Sequence, residues 1–183
     1  IETGGPGGAE HMLLRLADEY KHRGYSQIVC LRKDGWLATE VRKRNLKLII
    51  NPLRRLPDIV WLKNLLLYTK KNEVKGIHAH EFAMNIRAAI LGRFLNIPVV
   101  ATVHSKAYFA DTWYRRKAYY LLSRTSKVVS VSDDISHCLI KKIGIRPNHV
   151  TRIFNGIDIE KYKFDEEKRL RYRKKLNVDS SAL

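Results

Sequence analysis

Apolar and polar positions alternate along this chain in blocks that change period. Ser26 to Leu31, Leu46 to Ile50, Val74 to His78, Pro98 to Val103, Lys127 to Val131 and Val150 to Phe154 are short apolar runs bounded by turn residues. Runs of that length suit strands buried on both faces of a parallel sheet. Between them the period becomes helical. Ala9, Met12, Leu13, Leu16, Ala17 and Tyr20 recur at helical spacing, with Gly24 as the stop. Further helices are predicted from Trp36 to Arg44, Asp58 to Lys71 behind Pro57, Ala83 to Leu95 before Asn96 and Pro98, and Asp111 to Leu122. Another, capped by Asp133 or Asp134, runs to Ile143, where Gly144 and Pro147 break the chain, and a charged one covers Glu166 to Leu176. Ile1 to Thr3 reads as the tail of a further strand. Strands alternating with helices imply a Rossmann-like α/β fold, a parallel sheet with helices on both faces.

In such sheets ligands bind beyond the carboxyl ends of the strands. The residues that follow each strand there are polar: Gly4-Gly5-Pro6-Gly7-Gly8-Ala9-Glu10, His78-Ala79-His80-Glu81, His104-Ser105-Lys106, Ser130-Val131-Ser132-Asp133 and Asn155-Gly156-Ile157-Asp158. This concentration at one edge marks the candidate site. The glycine run lets backbone approach a ligand closely and adopt positive φ, with helix N–H groups behind it facing an oxyanion or hydroxyl. It is neither a dinucleotide fingerprint, since Glu10 stands where a third glycine is needed, nor a P-loop, since no Gly-Lys-Ser/Thr follows.

His78 and His80 share one face of a strand and could join His104 in a three-nitrogen metal site, but no acidic partner has a zinc-site spacing, and no metal is expected. His78 reads better as a packed histidine and His104, at a strand end before Ser105, as a ligand contact. Ser105, Ser130 and Ser132 lack a nucleophile-elbow context, and Ser132 is placed as a helix cap or a ligand contact. Glu10 and Glu81 are candidate acid/base groups, or acids that complement a helix dipole.

The chain has 183 residues with 35 Lys and Arg against 18 Asp and Glu, a net charge of +17. That field attracts nucleic acid, acidic lipid surfaces and phosphorylated substrates alike. Two stretches concentrate it. Tyr108 to Tyr120 interleaves aromatic rings with Arg115, Arg116 and Lys117, and the tail carries Lys168, Arg169, Arg171, Arg173, Lys174 and Lys175. Aromatic rings beside Lys and Arg suit a membrane interface, and a solvated helix face is the plainer alternative. Cys30 and Cys138 make no disulfide framework and read as core residues of a protein in a reducing, cytoplasmic compartment. A basic nucleic-acid-binding α/β module is the competing reading, although RNP, KH and zinc-finger motifs are absent. A dehydrogenase half is disfavoured by the failed glycine spacing.

Taken together, the GGPGGAE loop at 4–10, HAH at 78–80, TVHS at 102–105, VSVSDDI at 129–135 and NGID at 155–158 occur in an order and spacing that resemble the N-terminal domain of family-4 retaining glycosyltransferases. The likeness runs from Glu2 to about Asp158. It implies one half of a GT-B architecture, with residues 1–160 as the acceptor-side domain and its first strand largely missing. Residues 161–183 would be a basic helical linker toward an absent donor-binding domain with its E-x7-E motif. The resemblance implies transfer of a sugar from a nucleotide diphosphate donor to a sugar or lipid-linked acceptor with retention, without a cofactor or divalent metal, and without activity in this half alone. It places His104 beside the donor sugar as the catalytic candidate. Gly7, Gly8, His80, Ser105 and Ser132 become donor or acceptor contacts. Asn155, Gly156 and Asp158 would shape the closing turn. An anionic membrane at the inner face is a further candidate partner.

Overall fold

The computed structural model describes residues 1, 4–52, 58–107, 110–160 and 162–179. Helices and strands alternate as the pattern requires: α1 Gly8–His22, β1 Ile28–Leu31, α2 Trp36–Lys43, β2 Lys47–Ile50, α3 Ile59–Lys71, β3 Ile77–His80, α4 Phe82–Leu95, β4 Val99–Val103, α5 Trp113–Leu122, β5 Lys127–Ser130, α6 Asp133–His137, β6 Val150–Arg152 and α7 Glu166–Lys175. The strands form a parallel pair β1-β2 and a parallel four-stranded sheet in the order β3-β4-β5-β6. Among the helices, α1 contacts α2, α3 contacts α4, and α4 contacts α5. Ile1 packs into the β1-side core and its amino group lies 3.4 Å from the Cys30 carbonyl. Glu2 and Thr3, read from sequence as a strand tail, lie outside the described residues, as does Pro57.

The boundaries shift for identifiable reasons. The strand expected at Val74 to His78 is Ile77–His80. Positive φ at Glu73 and a Val74 N–H bond back to Thr69 hold the preceding residues in the helix-end turn. His80 thereby pairs with Thr102 at the carboxyl edge of the sheet. The cap of α6 is Ser132, whose Oγ accepts from the Ile135 N–H at 3.2 Å, not Asp133 or Asp134. That helix keeps α geometry only to His137 and widens into a π-type turn over Cys138–Lys142. In α1 the buried line is Glu10, Leu14 and Ala17, so Tyr20 stays outside.

Among the described residues three clusters form the core. One surrounds Val103, Tyr119, Val128 and Leu139 beneath β4 and β5. Another joins Leu31, Leu37 and Val41 around β1. The third seats Trp61 and Met84 against Val99. Cys138 is buried in the first, and Cys30 is only partly buried. Asn85 on α4 ties two elements: its amide donates to the Thr102 carbonyl at 3.0 Å and to the Tyr119 hydroxyl at 3.2 Å. The end of β4, where His104 follows, is therefore pinned from beneath.

Candidate functional site

The carboxyl ends of β3 and β4 bring three histidines into one stack. The His78 and His80 rings lie 4.4 Å apart at 27°, and the His80 and His104 rings 5.2 Å apart at 28°. His80 Nδ1 is 3.0 Å from His104 Nε2, and His78 Nε2 is 2.8 Å from Thr102 Oγ1. One nitrogen of each ring is thus engaged, His80 and His104 with each other and His78 with Thr102. Among the described residues no group of three or more His, Cys, Asp or Glu is placed to hold a metal ion. His80 is buried, whereas His104 is only partly covered. Within the described residues His104 Nδ1 has no hydrogen-bond partner, so it is the nitrogen available to a ligand.

Burial keeps this stack neutral. It pushes His78 down to about 4, with the nearby His104 adding to the effect. It drives His80 well below the ordinary imidazole range. His104 is also lowered by burial, against the pull of the Glu81 and Glu10 carboxylates. Glu81 directly follows β3 and Glu10 lies in the first turn of α1.

The sign of the consequence for stability is fixed. These groups titrate near 6.5 when unfolded and lower when folded, so the unfolded chain binds protons first on acidification. Their contribution is complete above pH 6.5 and declines as pH falls from 6.5 toward 4. The melting temperature should drop through that window, and less steeply in His78→Gln, which can still meet Thr102. A melting temperature that is flat from pH 7 to 5 would contradict the burial of the stack.

Glu81 has φ 71° and ψ 160°, a conformation nearly confined to glycine and worth about 1–3 kcal/mol of strain. It directly follows His80 and precedes α4. Only the folded backbone shows this, because a Glu after a strand carries no sequence mark of strain.

The glycine loop differs from expectation in conformation. Positive φ occurs at Gly24, Gly35 and Gly144, and not at Gly4, Gly5, Gly7 or Gly8. Their use is space. A Cβ on Gly7 would stand 2.5 Å from Glu10 Oε2, so this glycine makes room for the buried carboxylate. A Cβ on Gly4, Gly5 or Gly8 would meet nothing within 4 Å, so the backbone there borders open space. The loop is held from behind by the Leu37 N–H donating to the Gly4 carbonyl at 3.1 Å. Gly7, extended at φ −111° and ψ 171°, starts α1 without a side-chain cap.

Ser105 and Ser132 are engaged locally. Ser105 Oγ accepts from the Ala107 N–H at 3.1 Å, and Ser132 caps α6. Lys106 bridges their loops through Asp134 at 2.7 Å, and Arg152 pairs with Asp133. The 155–158 turn is held to α1 by Arg15, which donates to the Gly156 carbonyl. Beside it a cavity of about 540 Å³ is lined by His11, Arg15, Arg44, Asp158 and Tyr162, a site that motif reading did not single out.

This geometry can be set beside known proteins. The family model for Glycosyltransferase Family 4 matches residues 6–161. The chain belongs to glycosyltransferase family 4. The UDP-Gal:alpha-D-GlcNAc-diphosphoundecaprenol alpha-1,3-galactosyltransferase of Escherichia coli is 24% identical over 137 residues, 69% of this chain and 35% of that protein. Anabaena HepE, solved in complex with UDP, superposes with a TM-score of 0.80 at 22% identity over 96% of this chain and 48% of HepE. A Rickettsia africae glycosyltransferase gives 0.81 at 19% identity over the whole chain and 49% of its own. These neighbours establish the fold, a Rossmann-like half of a GT-B glycosyltransferase. This family-4 chain spans about half the length of those structures and about a third of the E. coli relative.

Proposed function

We propose that this chain is the acceptor-side half of a retaining glycosyltransferase that moves a hexosyl group from a nucleotide diphosphate donor to a lipid-linked acceptor. The observation that carries this reading is the glycine loop over buried Glu10, strained Glu81 and the hydrogen-bonded His80–His104 pair at the strand ends of a family-4 domain. HepE has been solved with UDP-glucose, and the name of the E. coli relative specifies a UDP-galactose donor and a lipid diphosphate acceptor. Both are consistent with a nucleotide-sugar reaction.

In this reading His104 Nδ1 hydrogen-bonds a donor-sugar hydroxyl, and His80 holds the ring from behind. The backbone of Gly7 and Gly8 with the start of α1 faces oxyanions or hydroxyls. Ser105 and Ser132 line the rim. Charge developing on the departing diphosphate is met by helix N–H groups and cations, including those of the second wall. No resident cofactor or metal takes part, and residues 161–183 form the basic link to that wall. The protein works at the inner face of a membrane, as a peripheral protein.

The test is a transfer assay on the full-length protein with UDP-glucose and UDP-galactose and undecaprenyl-diphosphate-linked sugars, reading the anomeric configuration of the product by NMR. The expected product retains the donor configuration, and the 183-residue chain is inactive because positioning needs both walls. An inverted product would remove retention from the reading. Tight binding of random DNA at physiological salt, with no transfer, would favour the nucleic-acid alternative.

A further inference from the structure

The sequence pointed to Tyr108–Tyr120 as a membrane-facing stretch, and the structure redraws that surface. Tyr108 and Phe109 lie outside the described residues, and Tyr119 is core. Arg115 lies 5.7 Å from the Phe82 ring, and Arg116 Nε is buried. Of the three cations in the stretch only Lys117 is exposed.

What α5 does present is a groove shared with α4. Ala89 and Ala118 are small enough to leave a trough of about 410 Å³ between Ile86, Ile90 and Phe94 on one helix and Leu121 and Leu122 on the other. The trough is apolar, yet Phe94 is 71% and Leu121 53% exposed. Trp113, also 71% exposed, stands at the N-terminal end of α5. Exposed Arg93, Lys117 and Arg124 accompany these residues, and neither Phe82–Leu95 nor Trp113–Lys127 contains an Asp or Glu. An apolar trough in a wholly cationic setting is complementary to an anionic lipid, hydrocarbon below and charge above. A second copy of this chain would bring a like-charged face against it.

We propose that the α4–α5 face docks on anionic bilayers, with one lipid hydrocarbon chain in the trough and Arg93, Lys117 and Arg124 on the headgroups. The proposal deepens the lipid-linked acceptor reading and rests on it for its purpose, while its test reads no sugar transfer. Failure of the transfer assay with intact vesicle binding would remove the acceptor and leave the surface.

The experiment is sedimentation of the chain with phosphatidylcholine vesicles, with and without phosphatidylglycerol, at low salt. Each surface cation near an anionic leaflet contributes roughly a factor of five, so R93Q/K117Q/R124Q should weaken binding about a hundredfold. F94S/L121S removes exposed side chains and should keep its melting temperature, yet lose at least about tenfold in binding. Ile90→Gln serves as a second apolar variant should that pair fail to fold. Brominated phosphatidylglycerol chains should quench the fluorescence component that is lost in Trp113→Phe. Wild-type binding by both the charge and apolar variants overturns the proposal. Loss in the charge variant alone overturns the trough, leaving headgroup adsorption. A dimer in sedimentation equilibrium that F94S/L121S dissolves, with vesicle binding unchanged, assigns the face to a second copy and overturns it too.

Discussion

On the proposed function, His104→Ala in the full-length protein should lower kcat by about 100- to 1,000-fold, the scale of losing a preorganised donor at a reacting centre. His80→Phe should lower it by about 10- to 100-fold without touching substrate. The reason is geometric. His80 Nδ1 lies 3.0 Å from His104 Nε2, with the His80 ring buried and the His104 ring partly covered. That bond couples the tautomers of the two rings and holds the plane of His104, and so decides which way Nδ1 points. Removing it leaves a covered nitrogen unpaired, at a cost of about 1–3 kcal/mol, or lets the ring turn. His80→Asn places an amide near the Nδ1 position and should recover most of the rate, whereas His80→Gln reaches too far and should not. The loss should fall on kcat more than on KM. In the 183-residue chain, nitrogen-15 chemical shifts of His104 report its tautomer directly. A single tautomer in the wild type and His80→Asn, with a mixture in His80→Phe, is the expected pattern. An unchanged tautomer in His80→Phe would reduce His80 to a packing residue.

A second large effect is expected far from the ligand edge. Gly92→Ala should lower the melting temperature by about 4–8 °C, the equivalent of roughly 2 kcal/mol in a domain of this size. A Cβ on Gly92 would lie 2.2 Å from Val99 Cγ2 and 2.9 Å from the Ile97 carbonyl oxygen. The side-chain contact can yield, but the backbone one cannot without moving the turn. That turn is held by the Ile97 N–H on the Gly92 carbonyl at 3.0 Å, with Asn96 in the left-handed conformation at φ 55° and ψ 42°. The better helix propensity of Ala recovers up to about 1 kcal/mol, which is why the net cost is moderate. Gly92→Ala/Val99→Ala should be less destabilised than the sum of the single changes, with a coupling of about 1 kcal/mol measured by denaturant unfolding. Additive losses would place the damage at Ile97 rather than at Val99.

Much of this protein is written locally. The alternation of short apolar runs with helical periodicity determined the elements, and with them a parallel α/β fold, because period and length are properties of contiguous residues. Gly24, Asn96 and Pro98 mark their ends by their own backbone preferences. The candidate residues could be named from the sequence as well, since strand ends in a parallel sheet all deliver to one edge. What each of them does there depends on pairings between residues far apart in sequence. His80 and His104 are 24 positions apart and become partners only through the β3-β4 register. Glu81 acquires its strained φ from the strand-to-helix junction, and Gly7 is explained by the carboxylate of Glu10 folded back over it. The basic surface is the clearest case. Arg115 and Arg116 read beside Lys117 as cations of a membrane-facing or solvated stretch, but in the fold both are half-buried, Arg115 between the Phe82 and Tyr114 rings, and the packing of α5 against α4 leaves the Ala89–Ala118 trough beside them. A helical period says which residues share a face; which face is covered is decided by the neighbouring helix.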